Sequence, residues 1–211
     1  MDLEAELDAV RSLDIDELAA SIQAIGFECT RCGACCKGHG DEHTATLSPD
    51  EVRRLMGPDQ EWRDVARPIP FGLEDGTGET FEWALQTGSC GDCRFYEEGE
   101  STGTCTVYED RPRICRTYPF SIEVAGSDPM GAVVGRDGAV RAHECDGLGR
   151  DISRTDAEAM ARQLKERAIH DLQELRAVKD AYEPFDRDPG EAIVHDSEGA
   201  KRADGTPVER R

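Results

Sequence analysis

The run Cys29-Thr30-Arg31-Cys32-Gly33-Ala34-Cys35-Cys36 packs four thiols into eight residues. Thiolates are soft ligands that select zinc, cuprous copper or iron-sulfur clusters over magnesium and calcium. Ligands two residues apart let the backbone curl so that successive sulfurs converge, and the small Gly33 and Ala34 let the chain come close to an ion. Adjacent Cys35 and Cys36 point poorly at one place, so they are expected to serve different sites, or one of them to be a bystander. Farther along stand Cys90, Cys93, Cys105, Cys115 and Cys145, each among Gly, Pro or Asp residues of the loop-forming kind. One such cysteine alone would read equally well as a small buried hydrophobe. Nine of them in a chain with only 37% apolar residues would be an odd use of a rare residue.

Positioning these thiols falls to short elements. Leu3, Leu7 and Val10, then Ile15, Leu18, Ile22 and Ile25 after Asp14, repeat at helical spacing. They predict one long or two short amphipathic helices that stop at Gly26. Ser48, Pro49 and Glu51 predict a capping box that opens a short connector helix, ending near Met56. Apolar runs at 81–85, 94–96, 106–108, 121–124, 132–134 and 139–142 predict small strands, with a hairpin turn at Asp137-Gly138 between the last two. Thr155 with Glu158 predicts the start of the longest helix, whose stripe of Met160, Leu164, Ala168, Leu172, Leu175 and Val178 would lie across the cysteine-bearing part. From Glu183 onward Pro, Gly, Asp and Arg dominate, which predicts a flexible acidic tail. The expected fold class is α+β: a small, irregular, cysteine-rich, metal-centred domain with short strands, N-terminal helices and a long C-terminal helix. The expected segments are an N-terminal helical part (1–26), a cysteine-cluster domain (27–150), the long helix (151–182) and the tail (183–211).

The cysteine run resembles the CxxCxxCC opening of the YkgJ-type cysteine-cluster family of zinc- or iron-chelating domains. The likeness extends to Cys93-Arg94-Phe95-Tyr96, to 105–112 (CTVYEDRP), to 115–120 (CRTYPF) and to 145–149 (CDGLG). It therefore spans residues 29–149. It implies a metal-chelating domain, a type also labelled an iron-sulfur oxidoreductase, and a related cluster is attached to flagellin lysine methylases. Carried over position by position, the resemblance implies metal ligation at Cys29, Cys32, Cys35, Cys36, Cys93, Cys105, Cys115 and Cys145. Cys90 stands outside that pattern; its CxxC spacing with Cys93 makes it either a ligand or a spare thiol.

Eight matching thiols divide into two sets of four, which would suit a four-thiolate zinc site or a [4Fe-4S] cluster equally. The order Cys29, Cys32, Cys35 matches the first three ligands of bacterial ferredoxin clusters, whose remote fourth cysteine lies near a proline, and Cys115 with Pro119 is a loose counterpart. Zinc sites more often pair two CxxC knuckles, and Cys29-Cys32 with Cys90-Cys93 would make such a pair with a long intervening segment. His39, His43 and His143 lie near the cysteines in sequence and could replace one of them as ligands. Arg111, Arg113 and Arg116 surround Cys115 in sequence; they would lower its thiol pKa and offset the charge of a thiolate-bound metal, or pair with the abundant carboxylates. Tyr118 and Phe120 are expected to pack in the core.

With 211 residues, one compact domain with tails is the default. Asp and Glu number 45 against 25 Lys and Arg, a net charge of -20. Such a balance argues against a nucleic-acid partner, whose phosphates need a basic face. The only lysines are Lys37, Lys165, Lys179 and Lys201. Heavy negative charge with few lysines suits a halophilic, salty cytosol, where self-repulsion is screened. No apolar stretch is long enough to span a membrane, and the start carries no signal-type segment. A cytoplasmic protein is expected, whose cysteines serve metals or redox chemistry rather than disulfides. The partner is a metal ion, with no membrane and no nucleic acid, and the protein partner is left open. No P-loop, no GxGxxG and no GxSxG is present, so nucleotide and serine-hydrolase chemistry lack support. Three readings remain: a zinc- or iron-binding protein, an iron-sulfur oxidoreductase or electron carrier, and an accessory to or part of a protein-methylating enzyme.

Overall fold

The computed structural model describes residues 2–38, 44–99, 102–123, 132–184 and 190–208. Helices and several small sheets make a mixed α+β chain, arranged as two compact units that interleave in sequence. The first comprises residues 1–35, 99–103 and 113–173, the second residues 36–98, 104–112 and 174–211. The block 27–150 is therefore shared between two units.

In the first unit, helices Leu3–Ser12 and Ile15–Ile25 form as their spacing predicts. Asp2 and Asp14 cap them: the Asp14 carboxylate accepts from the Asp16 and Glu17 amides at 2.8 and 3.0 Å, satisfying donors that have no partner inside the helix. Gly26, at φ +77°, ends the second helix. Leu7, Val10, Leu18 and Ile22 pack with Phe120, Ile122, Val140 and Ala142 of a three-stranded antiparallel sheet. Its strand order is Phe120–Ile122, Val140–His143, Val133–Asp137, and the expected hairpin turn follows Asp137. Ala157, Ala161, Leu164 and Leu172 of the long helix Arg154–Ala181 complete this core. The helix begins two residues earlier than Thr155 predicts, because Ser153 is the cap: its hydroxyl accepts from the Asp156 amide at 3.1 Å. The apolar stripe also fails beyond Leu172. Leu175 is 44% exposed, because the first unit, whose core the stripe packs against, ends at residue 173.

In the second unit, the Ser48 capping box forms and helix Pro49–Leu55 follows it. Trp83–Leu85, buried throughout, is the middle strand between Thr46–Leu47 and Ala66–Pro68. A second sheet runs Gly199–Arg202, Ala192–Asp196, Thr77–Thr80, Leu73–Glu74, with Ala192–Asp196 parallel to Thr77–Thr80. Over residues 190–208 this corrects the expectation of a flexible acidic tail (183–211). Ile193, Val194, His195, Asp196 and Lys201 are buried there. Composition misled because the stretch hides its charges in pairs: Lys201 Nζ lies 2.7 Å from both Asp196 and Glu198, and Trp83 Nε1 donates to Asp196 at 2.8 Å. His195 contacts Glu79 at 3.0 Å and stacks on Phe81.

Candidate metal centres

All nine cysteines remain as thiols, none in a disulfide. Cys29, Cys32, Cys35, Cys115 and Cys145 belong to the first unit; Cys36, Cys90, Cys93 and Cys105 belong to the second. The division falls between the adjacent Cys35 and Cys36.

In the first unit the chain leaves helix Ile15–Ile25 at Gly26 and runs antiparallel to residues 147–149. Phe27 and Leu148 form a bridge, Glu28 N–H donates to the Gly147 carbonyl at 3.0 Å, and Gly149 N–H donates to the Gly26 carbonyl at 3.0 Å. Phe27 meets the buried Phe120 edge to face, ring centroids 5.7 Å apart, which anchors this entry to the sheet. Phe120 thus packs in the core as expected. Gly147 is required by close approach: a Cβ there would press on the Glu28 carbonyl and lie 3.0 Å from the Phe27 ring. The pairing brings the start of the cysteine run beside Cys145, more than a hundred residues away in sequence.

Within the run, Arg31 and Gly33 take φ +56° and +77°, and Ala34–Cys36 closes as a 3-10 turn. Positive-φ residues thus stand on both sides of Cys32, and the Arg31 carbonyl accepts from the Gly103 amide at 2.9 Å. Cys29, Cys32 and Cys35 are exposed, Cys115 and Cys145 half-buried. Burial pushes the Cys145 thiol pKa up, and the negative charges of Cys35, Cys32 and Cys29 push it further, against the opposing donation of the Gly147 N–H, which lies 3.4 Å from Cys145 Sγ. Tyr118 is pushed up to about 12, by burial first and then by Cys145, Cys35, Glu144 and Cys32, and its hydroxyl donates to the Glu144 carbonyl. Tyr118 and four of the cysteines therefore share one electrostatic neighbourhood.

Cys115 sits on the short helix Arg113–Thr117 of the same unit. Thr117, fully buried, fixes that helix: its hydroxyl donates to the Arg113 carbonyl at 2.9 Å and accepts from Arg167 at 3.0 Å. Arg111, expected beside Cys115, belongs to the second unit and lies over the Tyr108 ring at 3.8 Å while donating to the Tyr108 carbonyl.

In the second unit, Cys93 N–H donates to the Cys36 carbonyl at 2.8 Å. Tyr96 pairs with Cys105 across the antiparallel ribbon of Tyr96–Glu97 and Thr104–Cys105. Cys93 is buried, Cys36 and Cys105 are half-buried, and Cys90 is exposed.

Of the histidines, His39 and His43 lie outside the described residues. His143 holds Ser121 Oγ at 2.9 Å through Nε2, and burial lowers its pKa, with Arg167 and Arg141 adding to the effect against a carbonyl contact from Ala132. Its ring is thus engaged with the sheet.

Among the described residues, no three His, Cys, Asp or Glu side chains already stand as a metal-holding group. The fit to a metal accordingly rests on the donor set: soft sulfurs only, gathered by backbone pairing into each unit and, in the first, close enough for Cys35, Cys32 and Cys29 to raise the proton affinity of Cys145. Sequence reading found every one of these thiols. It missed Gly147 and Arg31, which shape the loops; the glycine was signalled by the Cys-Asp-Gly-Leu-Gly motif, whereas nothing in an arginine signals a left-handed backbone.

The model of the CxxCxxCC family, described as a putative zinc- or iron-chelating domain, matches residues 28–146, more than half of the chain. No curated protein and no solved structure matches the chain. No helix among the described residues is long and apolar enough to cross a membrane.

Proposed function

Because the chain belongs to the CxxCxxCC family of zinc- or iron-chelating domains and so binds metal, we propose that it does so through cysteine thiolates, drawn from Cys29, Cys32, Cys35, Cys36, Cys93, Cys105, Cys115 and Cys145. The observation that carries this reading is the pairing of residues 26–28 with 147–149, which holds the start of the cysteine run against the Cys145 loop. The charge that Cys29, Cys32 and Cys35 impose on Cys145 supports it. Thiolates gathered without a cation repel one another, and a divalent ion turns that repulsion into binding free energy. Zinc closed by four thiolates supplies a rigid cross-link, and an iron-sulfur cluster in the same place supplies one-electron transfer.

The zinc or iron would then be structural or carried, in a reducing cytoplasm where nine thiols outside disulfides are stable. A second reading, an iron-sulfur oxidoreductase or electron-transfer protein, draws on the first unit's five cysteines. Four suffice for a [4Fe-4S] cluster, and the fifth would be spare for redox work.

Anaerobic purification followed by elemental analysis, acid-labile sulfide and a visible spectrum tests both readings. Zinc or iron retained in stoichiometric amount supports thiolate chelation, and iron with sulfide and a colour that bleaches on reduction selects the second reading. A chain that purifies without bound metal and takes up neither ion contradicts both.

A further inference from the structure

We propose that the hairpin from Phe71 to Glu82, with Tyr182 beside it, is a docking face of the second unit for another protein, one that presents an arginine or lysine next to an apolar side chain. The face contains none of the cysteines, and the proposal goes beyond metal binding.

Phe71, Phe81 and Tyr182 are 59%, 48% and 36% exposed. A single exposed ring is ordinary on a protein surface, but Phe81 and Tyr182 do not stand singly. Their centroids lie 5.4 Å apart, and both rings pack on His195, at 5.5 and 4.8 Å. His195 is itself buried and lies 3.0 Å from Glu79, and the Tyr182 hydroxyl donates to the same carboxylate oxygen at 3.4 Å. The exposed rings thus rest on a fixed base, and aromatic surface that is already fixed loses little freedom when a partner covers it. Phe71 belongs to the same hairpin. Ile69 N–H donates to the Glu82 carbonyl at 3.1 Å and Leu73 pairs with Gly78, so residues 69–73 run beside 78–82.

Glu79 links these rings to an open concavity of about 340 Å³, which is lined by Gly72, Glu74, Thr77, Gly78 and Glu79. Two of the lining residues are glycines held close to other backbone. A Cβ at Gly72 would lie 2.8 Å from the Glu79 carbonyl oxygen, and one at Gly78 would lie 2.9 Å from the Gly72 carbonyl oxygen. Polar groups otherwise line it, with carboxylates from Glu74 and Glu79. Among the described residues no lysine or arginine pairs with Glu74, Asp75 or Glu79.

Charge selects the partner. From Phe71 to Glu82 the chain carries Glu74, Asp75, Glu79 and Glu82 and no lysine or arginine. A second copy of this chain, with its own net charge of -20, would meet like charge here, and so would nucleic-acid phosphates or an anionic membrane. A cationic side chain meets carboxylates in the concavity and an aromatic face beside it. Arginine suits both contacts, because its planar guanidinium pairs with carboxylates and stacks on rings. In a salty medium distant attraction is screened. The affinity then comes from charges in direct contact and from the apolar neighbour of the cation, which removes Phe71 and Phe81 from water.

The test selects short peptides from a random library on the full chain in molar potassium chloride. The selected peptides are then titrated against the wild type, Glu74→Arg and Phe71→Ser. Both positions are exposed, and equal thermal midpoints of the three proteins check the fold. The expected result is peptides that carry arginine or lysine beside an apolar residue and whose affinity falls about tenfold or more in each variant, the size of a lost contact at the centre of an interface. Their binding is also expected to slow amide hydrogen exchange over residues 71–82 of the wild type, a reading that needs no variant to fold. Peptides without a basic residue, affinities that ignore either substitution, protection confined to other residues, or no enrichment at all overturn the proposal. Sedimentation of the free chain is expected to show a monomer. A dimer that dissociates in Phe71→Ser would assign the face to a second copy and overturn the proposal as well.

Discussion

Glu28 donates its amide hydrogen to the Gly147 carbonyl at 3.0 Å, and this bond seats the start of the cysteine run against the Cys145 loop. A side chain at 147 would press on the Glu28 carbonyl and the Phe27 ring. Gly147→Ala is therefore expected to lower stability by about 1–3 kcal/mol, the usual cost of overpacking a fixed contact, and to weaken metal retention. Urea unfolding together with metal content per chain checks both effects. Wild-type values in both would mean that the loop yields freely and does not hold the cysteines.

Lys201 lies buried between Asp196 and Glu198, 2.7 Å from each. Lys201→Met keeps the bulk beneath Trp62 and removes the charge, leaving Asp196 buried with only neutral donors, Trp83 Nε1 and the Glu198 amide. Breaking one side of a buried pair in this way is expected to cost about 3 kcal/mol. Equilibrium denaturation measures it. A neutral substitution would show that the pair adds nothing beyond packing.

Glu198 has its carboxyl pKa held down to about 2 from an ordinary 4.5, chiefly by its bond to Arg53 and then by Lys201, against an opposing push from burial. A depressed folded-state pKa stabilises fully above the unfolded value, and the contribution fades as pH falls from about 4.5 toward about 2. Glu198→Gln is expected to be less stable than wild type at neutral pH and to converge on it through that window. Unfolding midpoints of both proteins against pH provide the comparison. A stability gap that stays constant down to the acid end would remove Glu198 from the account of acid sensitivity.

How much of this was legible in the sequence depends on how local the cause is. The two N-terminal helices, the Ser48 capping box and the hairpin after Asp137 follow from neighbouring residues, and local sequence found them. The strand pair Ala192–Asp196 and Gly199–Arg202 did not: its buried charges are partnered by Trp83 and Glu79, far away in sequence, so the stretch looks like solvated tail. Likewise the thiols were visible at once as a ligand set. Their division between Cys35 and Cys36 was visible only as the rule that adjacent side chains diverge, and the assignment of Cys145 to the neighbourhood of Cys29, Cys32 and Cys35 depends on a pairing across the whole middle of the chain.

A net charge of -20 makes the folded chain repel itself. At molar salt the screening length falls to about 3 Å, which removes most of that repulsion while sparing buried pairs. The thermal midpoint is expected to rise from dilute buffer to molar potassium chloride. Equal or greater stability in dilute buffer would contradict the halophilic reading of the charge.

The central claim is that the thiolates of the first unit hold a metal, and counting metal per chain in single Cys→Ser variants tests it most directly. Wild type, Cys29→Ser, Cys32→Ser, Cys35→Ser, Cys115→Ser and Cys145→Ser would be purified side by side under anaerobic conditions and assayed for zinc and iron. The account predicts bound metal in the wild type and a clear loss in the Cys29, Cys32, Cys35 and Cys145 variants, with Cys115→Ser deciding whether the fifth thiol is a ligand or spare. Unchanged stoichiometry in those four variants would contradict it.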